Sequence, residues 1–453
     1  MNSNDITRRQ FLKSSALLTA TAAAAELLSG CSDKTPSSST EQTGRGEMTY
    51  RTNKTNGDKI SILGYGCMRW PVTKEGEKEA IDQDMVSKLV DYAIANGVNY
   101  FDAAPVYLQG ECEKATAEAL SKYKRDSYFI ATKLSNFNDY SRDAGIAMYR
   151  KSLKNFRTEY IDYYLLHSVG AGGIKNFGER FIENGLLDFL IEERKAGRIR
   201  KLGFSFHGNR KCFDELLELH NKYHWDFVQI QLNYMDWKHP SGRNTEAEYL
   251  YEQLEKRNIP IIVMEPLLGG RLASLPEYIT GRLKEREPQS SNASWAFRFA
   301  GSHPGILCVL SGMTYMEHLK DNLRTYSPLK ELTSDDLDFL EKIATQMKKY
   351  PFIGCTHCDY CMPCPYGIDI PGIFKHYNKC LNEGNISDDT GSPEYRKARR
   401  AYLVSYDRAI SEYRQADRCI SCGQCSPKCP QDINIPGELG RIWSFVEKLR
   451  RNG

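Results

Sequence analysis

Asn99-Tyr100-Phe101-Asp102-Ala103-Ala104-Pro105-Val106-Tyr107 reads as a short buried strand that breaks at Ala-Ala-Pro, leaving a carboxylate at its end and a phenol just beyond it. The same arrangement recurs downstream. Tyr128–Lys133 (YFIATK) ends on a lysine, Tyr160–His167 (YIDYYLLH) on a histidine, and Val228–Tyr234 (VQIQLNY) carries Gln231 and Asn233. Between about residues 48 and 325, β-rich runs of this kind end near Gly66, Asp102, Lys133, His167, Ser205, Asn233, Glu265 and Gly312. A helical pattern of about 10 to 15 residues follows each of them. Repeated βα units specify an α/β fold with a parallel sheet, and eight of them over about 280 residues imply a closed (β/α)8 TIM barrel. A hairpin turning at Asn56-Gly57 precedes the first unit.

In such barrels the reactive groups stand where strands end and βα loops gather. One histidine or lysine ending a strand is an ordinary solvated loop residue. Asp102, Tyr107, Lys133, His167, Gln231 and Asn233 at successive strand ends form a constellation. The region resembles an aldo-keto reductase, on Asp102-x4-Tyr107 after the second strand, Lys133 closing the third, His167 closing the fourth and Gly203-Phe204-Ser205 after the fifth.

That resemblance implies a catalytic tetrad. Tyr107 would donate a proton to a substrate carbonyl, Lys133 held by Asp102 would lower the phenol's pKa, and His167 would orient the carbonyl. A phenol with pKa near ~10 is a poor acid at neutral pH, and a nearby ammonium stabilises its phenolate. The resemblance also implies a nicotinamide cofactor, NADP or NAD. Ser205 and Gln231 match the carboxamide positions, Met264-Glu265-Pro266-Leu267 with Gly270 the loop over the pyrophosphate, and Gly312 with Asn322 the adenosine site. Phe206 and His207 stand where an asparagine is common in the family, and Gly312, Met313 and His318 replace the lysine and arginine that meet a 2′-phosphate, so the choice between NAD and NADP stays open.

Two cysteine runs follow the barrel. Cys419, Cys422, Cys425 and Cys429-Pro430 have the C-x2-C-x2-C-x3-C-P spacing of bacterial ferredoxins, in which three close thiolates hold one [4Fe-4S] cube and the fourth ligates the other. Cys355, Cys358, Cys361 and Cys364-Pro365 are tighter at the end, with only Met362-Pro363 before Cys364. Structural zinc would favour separated thiolate pairs, and disulfides between cysteines this close would be strained. With the ligand exchange of the ferredoxin pattern, one of two [4Fe-4S] clusters takes Cys355, Cys358, Cys361 and Cys429, and the other Cys419, Cys422, Cys425 and Cys364. Cys380, between the runs, is a substitute ligand in reserve. Cys67, Cys112, Cys212 and Cys308 sit in apolar or helical contexts and read as small buried hydrophobes.

The intervening segment is longer than in compact ferredoxins and resembles the helical dicluster kind, with helices expected over Gly372–Cys380 and Tyr395–Tyr413. Arg396, Lys397, Arg399, Arg400 and Arg408 make the second basic, either as a solvated face or as a dock for an acidic redox partner or anionic lipid.

The amino terminus is a targeting segment. Thr7-Arg8-Arg9-Gln10-Phe11-Leu12-Lys13 resembles the twin-arginine export motif, and an Ala/Leu stretch too short to span a bilayer leads to Leu28-Ser29-Gly30-Cys31, which resembles a lipoprotein lipobox. Cys31 would then bear lipid and tie the protein to a membrane of the periplasm or cell envelope. A net charge of +3 and a hydrophobic content of 41% carry no nucleic-acid signature in the chain of 453 residues. The expected organisation is signal 1–31, flexible tether 32–47, barrel 48–345 and mainly α-helical two-cluster ferredoxin-like domain 346–453. Two functions from different classes fit it. One is an exported nicotinamide-dependent oxidoreductase acting on a small carbonyl or alcohol, with cluster electron transfer to a redox partner. The other is an electron-transfer or binding subunit that uses the barrel as a scaffold.

Overall fold

Alternation along the strands decides which side chains enter the barrel. Strands β1 (Tyr50–Thr52) and β2 (Lys59–Ser61) form the leading antiparallel hairpin, and β3 (Leu63–Gly66) enters the sheet. A second hairpin, β4 (Val72–Glu75) with β5 (Lys78–Ile81), was not legible in the sequence. The remaining strands are β6 (Tyr100–Asp102), β7 (Phe129–Leu134), β8 (Ile161–Val169), β9 (Ile199–Phe206), β10 (Phe227–Gln231), β11 (Ile261–Met264) and β12 (Ile306–Ser311). Neighbours pair in parallel and in chain order from β3 through β6 to β12, and β12 returns to β3, closing an eight-stranded barrel. The computed structural model describes residues 47–451 apart from 76–77, 241–243, 276, 349–351, 388–389 and 392. The twin-arginine motif, Cys31 and all but the last residue of the tether lie outside the described residues.

Successive strand residues point to opposite faces. Tyr100, Ala131, Tyr163, Leu165, Phe227, Ile262 and Cys308 share the inward parity and fill the floor, with Ile60 of the first hairpin below them. Tyr163 is the hub. Its ring meets Tyr100 at 5.3 Å and Phe227 at 5.0 Å, while its hydroxyl donates to Asp58 at 2.8 Å. Edge-to-face pairs of this kind contribute about 0.5–1.5 kcal/mol each beyond their buried area. Two residues further along, the same parity delivers Asp102 after Tyr100, Lys133 after Ala131 and His167 after Leu165, while on β10 Gln231 lies four residues beyond Phe227. The floor and the site are therefore consecutive layers of one stack. Outward-facing residues such as Tyr164, Leu166 and Leu202 pack instead under the surrounding helices.

Gly203 of β9 makes room for this packing, because a Cβ there would lie 2.2 Å from the Phe227 carbonyl oxygen and 2.8 Å from its ring. Cys67, Cys112, Cys212 and Cys308 are all buried, as expected for small apolar side chains.

Past the barrel, helices Ile370–Asn382, Tyr395–Ala409 and Ile435–Arg451 carry a separate hydrophobic cluster that includes Phe374, Tyr402, Tyr406, Ile442 and Val446. The expected pair of helices is thus joined by a third at the C-terminus, whose apolar spacing at Leu439, Ile442 and Val446 follows the helical period. Asp369 caps the first helix by accepting from Gly372 N at 3.0 Å. Among the described residues no helix is long and apolar enough to cross a membrane.

Gly203→Ala is expected to cost about 3 kcal/mol or more by overpacking against backbone, lowering the thermal midpoint and the soluble yield measured by circular dichroism and expression.

Candidate active site and thiol sets

At the C-terminal rim, β6 and β7 bring Asp102 and Lys133 together beneath Tyr107. Lys133 Nζ donates to Asp102 Oδ1 at 2.5 Å and to the Ala103 carbonyl at 2.8 Å, and it lies 5.0 Å from the centre of the Tyr107 ring. Lys133 is only 2% exposed and Asp102 4%. Burial works against the lysine's charge, but Asp102 and then Tyr107 outweigh it, so its proton is held more tightly than in water. Burial likewise raises the Asp102 carboxyl, opposed by Lys133 and Gln229.

Lys133 acts on Tyr107 in the expected direction, but another influence outweighs it. Burial is the largest influence on the phenol and pushes it up to about 12, although the Lys133 charge and hydrogen bond pull it down. Tyr107 therefore rests fully protonated. The ammonium beneath it matters once the proton has left, because a buried phenolate without that neighbour would be far costlier.

His167 stands edge-on to Tyr107 at 5.9 Å and beside Phe137 at 5.1 Å. Burial first, then the charges of Lys133, His207 and Arg180, lowers its pKa well below the ordinary value, so the ring is neutral. Its Nδ1 lies 2.6 Å from Ser135 Oγ, and the Arg180 guanidinium donates to its backbone carbonyl at 2.8 Å. If Ser135 donates to Nδ1, the ring proton sits on Nε2. Sequence reading passed over Ser135, although it directly follows the strand that delivers Lys133 and lies two residues beyond that lysine.

The remaining predicted positions fall on the same rim. Ser205 is buried and its Oγ accepts from Ser168 N at 2.8 Å, leaving its own proton to donate. Gln231 is 5% exposed at the end of β10, beside Met264 across the sheet. Glu265 opens a tight turn through Pro266 and Leu267. Gly269 N donates to Glu265 Oε2 at 2.5 Å, Gly270 N to Leu267 O at 3.0 Å, and Asn233 Nδ2 to Glu265 O at 3.0 Å. Gly312 lies against Arg69, and Asn322 donates to Ser311 Oγ at 2.9 Å. Gln231, whose amide no other group engages among the described residues, and the open space beside Gly270 suit a nicotinamide nucleotide.

The cysteines separate into two sets that interleave the runs. Cys355, Cys358, Cys361 and Cys429 converge on a small cavity shared with Ile370, Phe374, Ile433 and Ile435. Burial pushes Cys361 up to about 12 and Cys355 to about 11, and their neighbouring thiols add to it. Cys425 has Cys419, Cys422 and Cys364 as its charged neighbours. The short spacing at Met362-Pro363 therefore leaves Cys364 with the second set. Among the described residues no three His, Cys, Asp or Glu side chains close on a point as a single ion requires. An all-thiol donor set around a cavity suits an iron-sulfur cluster. Cys380 belongs to neither set, lying 3.4 Å from His376 Nε2 and 3.6 Å from Ser405 Oγ.

A feature invisible in the sequence joins the two regions. Thr356, next to Cys355, accepts from Arg69 at 3.3 Å through its carbonyl. Its methyl would lie 2.9 Å from a Cβ on Gly269, where φ is +69°. The first thiol set is thus seated against the turn that follows β11.

A parallel barrel whose rim carries a buried ammonium, a protonated phenol and a neutral imidazole has the makings of an oxidoreductase acting on carbonyl groups. Residues 62–345 match the Aldo/keto reductase family, residues 354–435 a 4Fe-4S dicluster domain, and residues 5–25 a twin-arginine translocation pathway signal sequence. The chain belongs to the aldo/keto reductase family. Among curated relatives it is 24% identical over 317 residues to Uncharacterized oxidoreductase YqkF of Bacillus subtilis, covering 63% of this chain and 94% of that one. It is 29% identical over 355 residues to Protein tas of Escherichia coli, covering 65% and 96%. Of solved structures, aldo-keto reductase AKR11C1 from Bacillus halodurans aligns with a TM-score of 0.53 at 21% identity, covering 66% of this chain and 96% of that one. An aldo-keto reductase from Klebsiella pneumoniae in complex with NADPH aligns at 0.52 and 17%, covering 66% and 95%. The protein is an NAD(P)-dependent oxidoreductase that carries a twin-arginine export signal and a 4Fe-4S electron-transfer domain.

The neutral state of His167 is open to direct measurement. Its imidazole resonances should not titrate between pH 5 and 8 in NMR spectra of labelled protein. Because an unfolded histidine takes up a proton near pH ~6.5 while the folded one does not, this site's contribution to stability is complete above that pH and is lost as pH falls below it.

Proposed function

We propose that Tyr107 is the proton donor of a carbonyl reductase site that runs in reverse as an alcohol dehydrogenase, with Lys133, Asp102 and His167 as its partners. The buried Lys133–Asp102 pair beneath the Tyr107 ring carries this reading. Such a pair is costly to bury and adds little net stability, which points to a use for its charge. As the carbonyl oxygen gains negative charge, Tyr107 passes it the phenolic proton, and Lys133 stabilises the phenolate left behind. His167, holding its proton on Nε2, donates a hydrogen bond to the same oxygen and fixes its position.

A bound nicotinamide nucleotide supplies the hydride. Ser205 and Gln231 would hold its carboxamide, Met264, Glu265, Pro266, Leu267 and Gly270 would cover its pyrophosphate, and Gly312 with Asn322 would meet its adenosine. The Klebsiella relative's complex with NADPH favours NADP, although no lysine-arginine pair replaces Gly312, Met313 and His318 here.

Two [4Fe-4S] clusters, on Cys355, Cys358, Cys361 and Cys429 and on Cys419, Cys422, Cys425 and Cys364, supply one-electron chemistry. Each cluster would pass one electron at a time, whereas the nicotinamide passes two together as hydride, so the clusters would serve a redox partner and not the carbonyl directly. The contact of Thr356 with Gly269 and Arg69 supports exchange between the first thiol set and the barrel rim. Two separate hydrophobic clusters, one reaching Met347 and the other beginning at Ile353, support a division close to the proposed 48–345 and 346–453. Lipid on Cys31 would hold the exported protein at a membrane of the cell envelope.

Anaerobic purification with iron, sulfide and nucleotide counted together tests the assignment. About eight irons and one nucleotide per chain are expected, and a chain that neither holds nor binds nucleotide would sink the reductase reading. Tyr107→Phe should lower carbonyl reduction by roughly 10²–10⁴-fold while the iron and sulfide content stays unchanged. An unchanged rate would leave the barrel as a scaffold. Cys429→Ser should remove the first cluster alone, and Cys364→Ser the second alone, as read by iron content and by electron paramagnetic resonance of the reduced protein.

A further inference from the structure

Helices Ile370–Asn382 and Tyr395–Ala409 enclose a groove of about 1150 Å³ on the cluster domain. Its walls present Lys375, Lys379, Arg396, Lys397, Arg400 and Arg408. Among the described residues, only Lys379 of these has an ion-pair partner, Glu383 at 3.7 Å. The neighbouring acid Asp407 is engaged by Arg450 at 3.1 Å, and Arg399 is set apart from the groove by its bond to the Leu449 carbonyl. The floor is apolar at Ala401, Ala409 and Val404, which is 42% exposed. His376 is buried at its edge, with Nε2 on Ser405 Oγ at 2.7 Å and, among the described residues, no partner for Nδ1.

Unneutralised cations around a small apolar strip repel one another across the groove, and an anionic surface would relieve that repulsion. An apolar centre with arginines around it is also the composition of a protein interface, not of a site for a lone small anion. Position narrows the occupant further. The helix Ile370–Asn382 contributes Gly372 to the groove, while its Pro371 and Phe374 line the cavity of Cys355, Cys358, Cys361 and Cys429. The groove and the first thiol set are therefore separated by about one helix diameter, ~10–12 Å.

We infer that this groove is the docking site for the carboxylate-rich face of a one-electron carrier protein, which exchanges electrons with the first cluster across the helix Ile370–Asn382. In each encounter the reduced carrier loses one electron and an oxidised [4Fe-4S]²⁺ cluster gains it, with no proton or bond transferred. The inference rests on electron-carrying clusters and not on carbonyl turnover, so it stands or falls separately from the role of Tyr107.

The test uses the cluster-loaded full chain and, as probe, a reduced acidic plant-type ferredoxin, with cluster bleaching followed by stopped flow. Reduction of the wild type should slow roughly tenfold or more between 0.01 and 0.15 M salt, as the Debye length falls from about 30 to 8 Å. Replacing Arg396, Lys397, Arg400 and Arg408 together by glutamine should lower the low-salt rate by about tenfold and flatten the salt dependence. The single change Arg400→Glu should act in the same direction. Photoreduced deazariboflavin, which is uncharged, should reduce all three proteins alike. Wild-type rates and salt slope in both variants would overturn the inference. So would unchanged ferredoxin kinetics accompanied by loss of binding to phosphatidylglycerol vesicles, which would make the groove a membrane contact.

Discussion

The Lys133 ammonium, almost wholly withdrawn from water, is held by the Asp102 carboxylate on the next strand and by the Ala103 carbonyl. Taking either charge out of solvent alone would cost several kcal/mol, so each depends on the other being placed to within tenths of an ångström. That demand reaches down the barrel. Lys133 and Asp102 stand one layer above Ala131 and Tyr100, whose packing against Tyr163 and Phe227 fixes the strand register. A slip of one residue in β7 would turn the lysine out among the helices and bring Thr132 in. The site's electrostatics and the barrel's shape are consequently one constraint seen from two sides.

Arg69 links what the chain separates. Its guanidinium bonds the Thr356 carbonyl in the first cysteine run, its own carbonyl accepts from Thr314 at 3.0 Å, and its side chain lies against Gly312. Glu265, which organises the turn after β11, feels the charges of both Arg69 and Arg271. The cluster domain therefore bears on the same two loops that the family resemblance associates with the nucleotide. Gly269 permits that closeness, since any side chain there would meet Thr356 and the left-handed backbone would be strained as well.

Much of this was legible in the amino-acid order, for definite physical reasons. Period-two alternation in YFIATK and YIDYYLLH places Lys133 and His167 on the inner face, and each strand ended within a few residues of where its polar terminus marked it. Cysteine spacing likewise announced its chemistry, and even the irregular Cys361-Met-Pro-Cys364 step kept the interleaved grouping. The hairpin Val72–Ile81 escaped because its alternation is weak and mostly charged. Ser135 escaped because a serine after a strand is an everyday loop residue until a histidine Nδ1 appears opposite it. The balance on Tyr107 could not be read at all. Sequence shows which charges are near a phenol, whereas the depth of its burial, which wins here, belongs to the folded chain.

The grouping of Cys429 with Cys355, Cys358 and Cys361 has a consequence in time. A ribosome releases the first three thiols well before the fourth, and the final helix Ile435–Arg451 follows later still. On the assignment proposed above, no cluster can be completed until nearly the whole polypeptide has been synthesised, although the barrel strands are all available by then. Assembly of the metal centre would therefore come after the barrel has been made and before export. A pathway that carries only folded proteins across a membrane would then receive, in the closing of that ring of thiols, a sign that the barrel and both cysteine runs had been made.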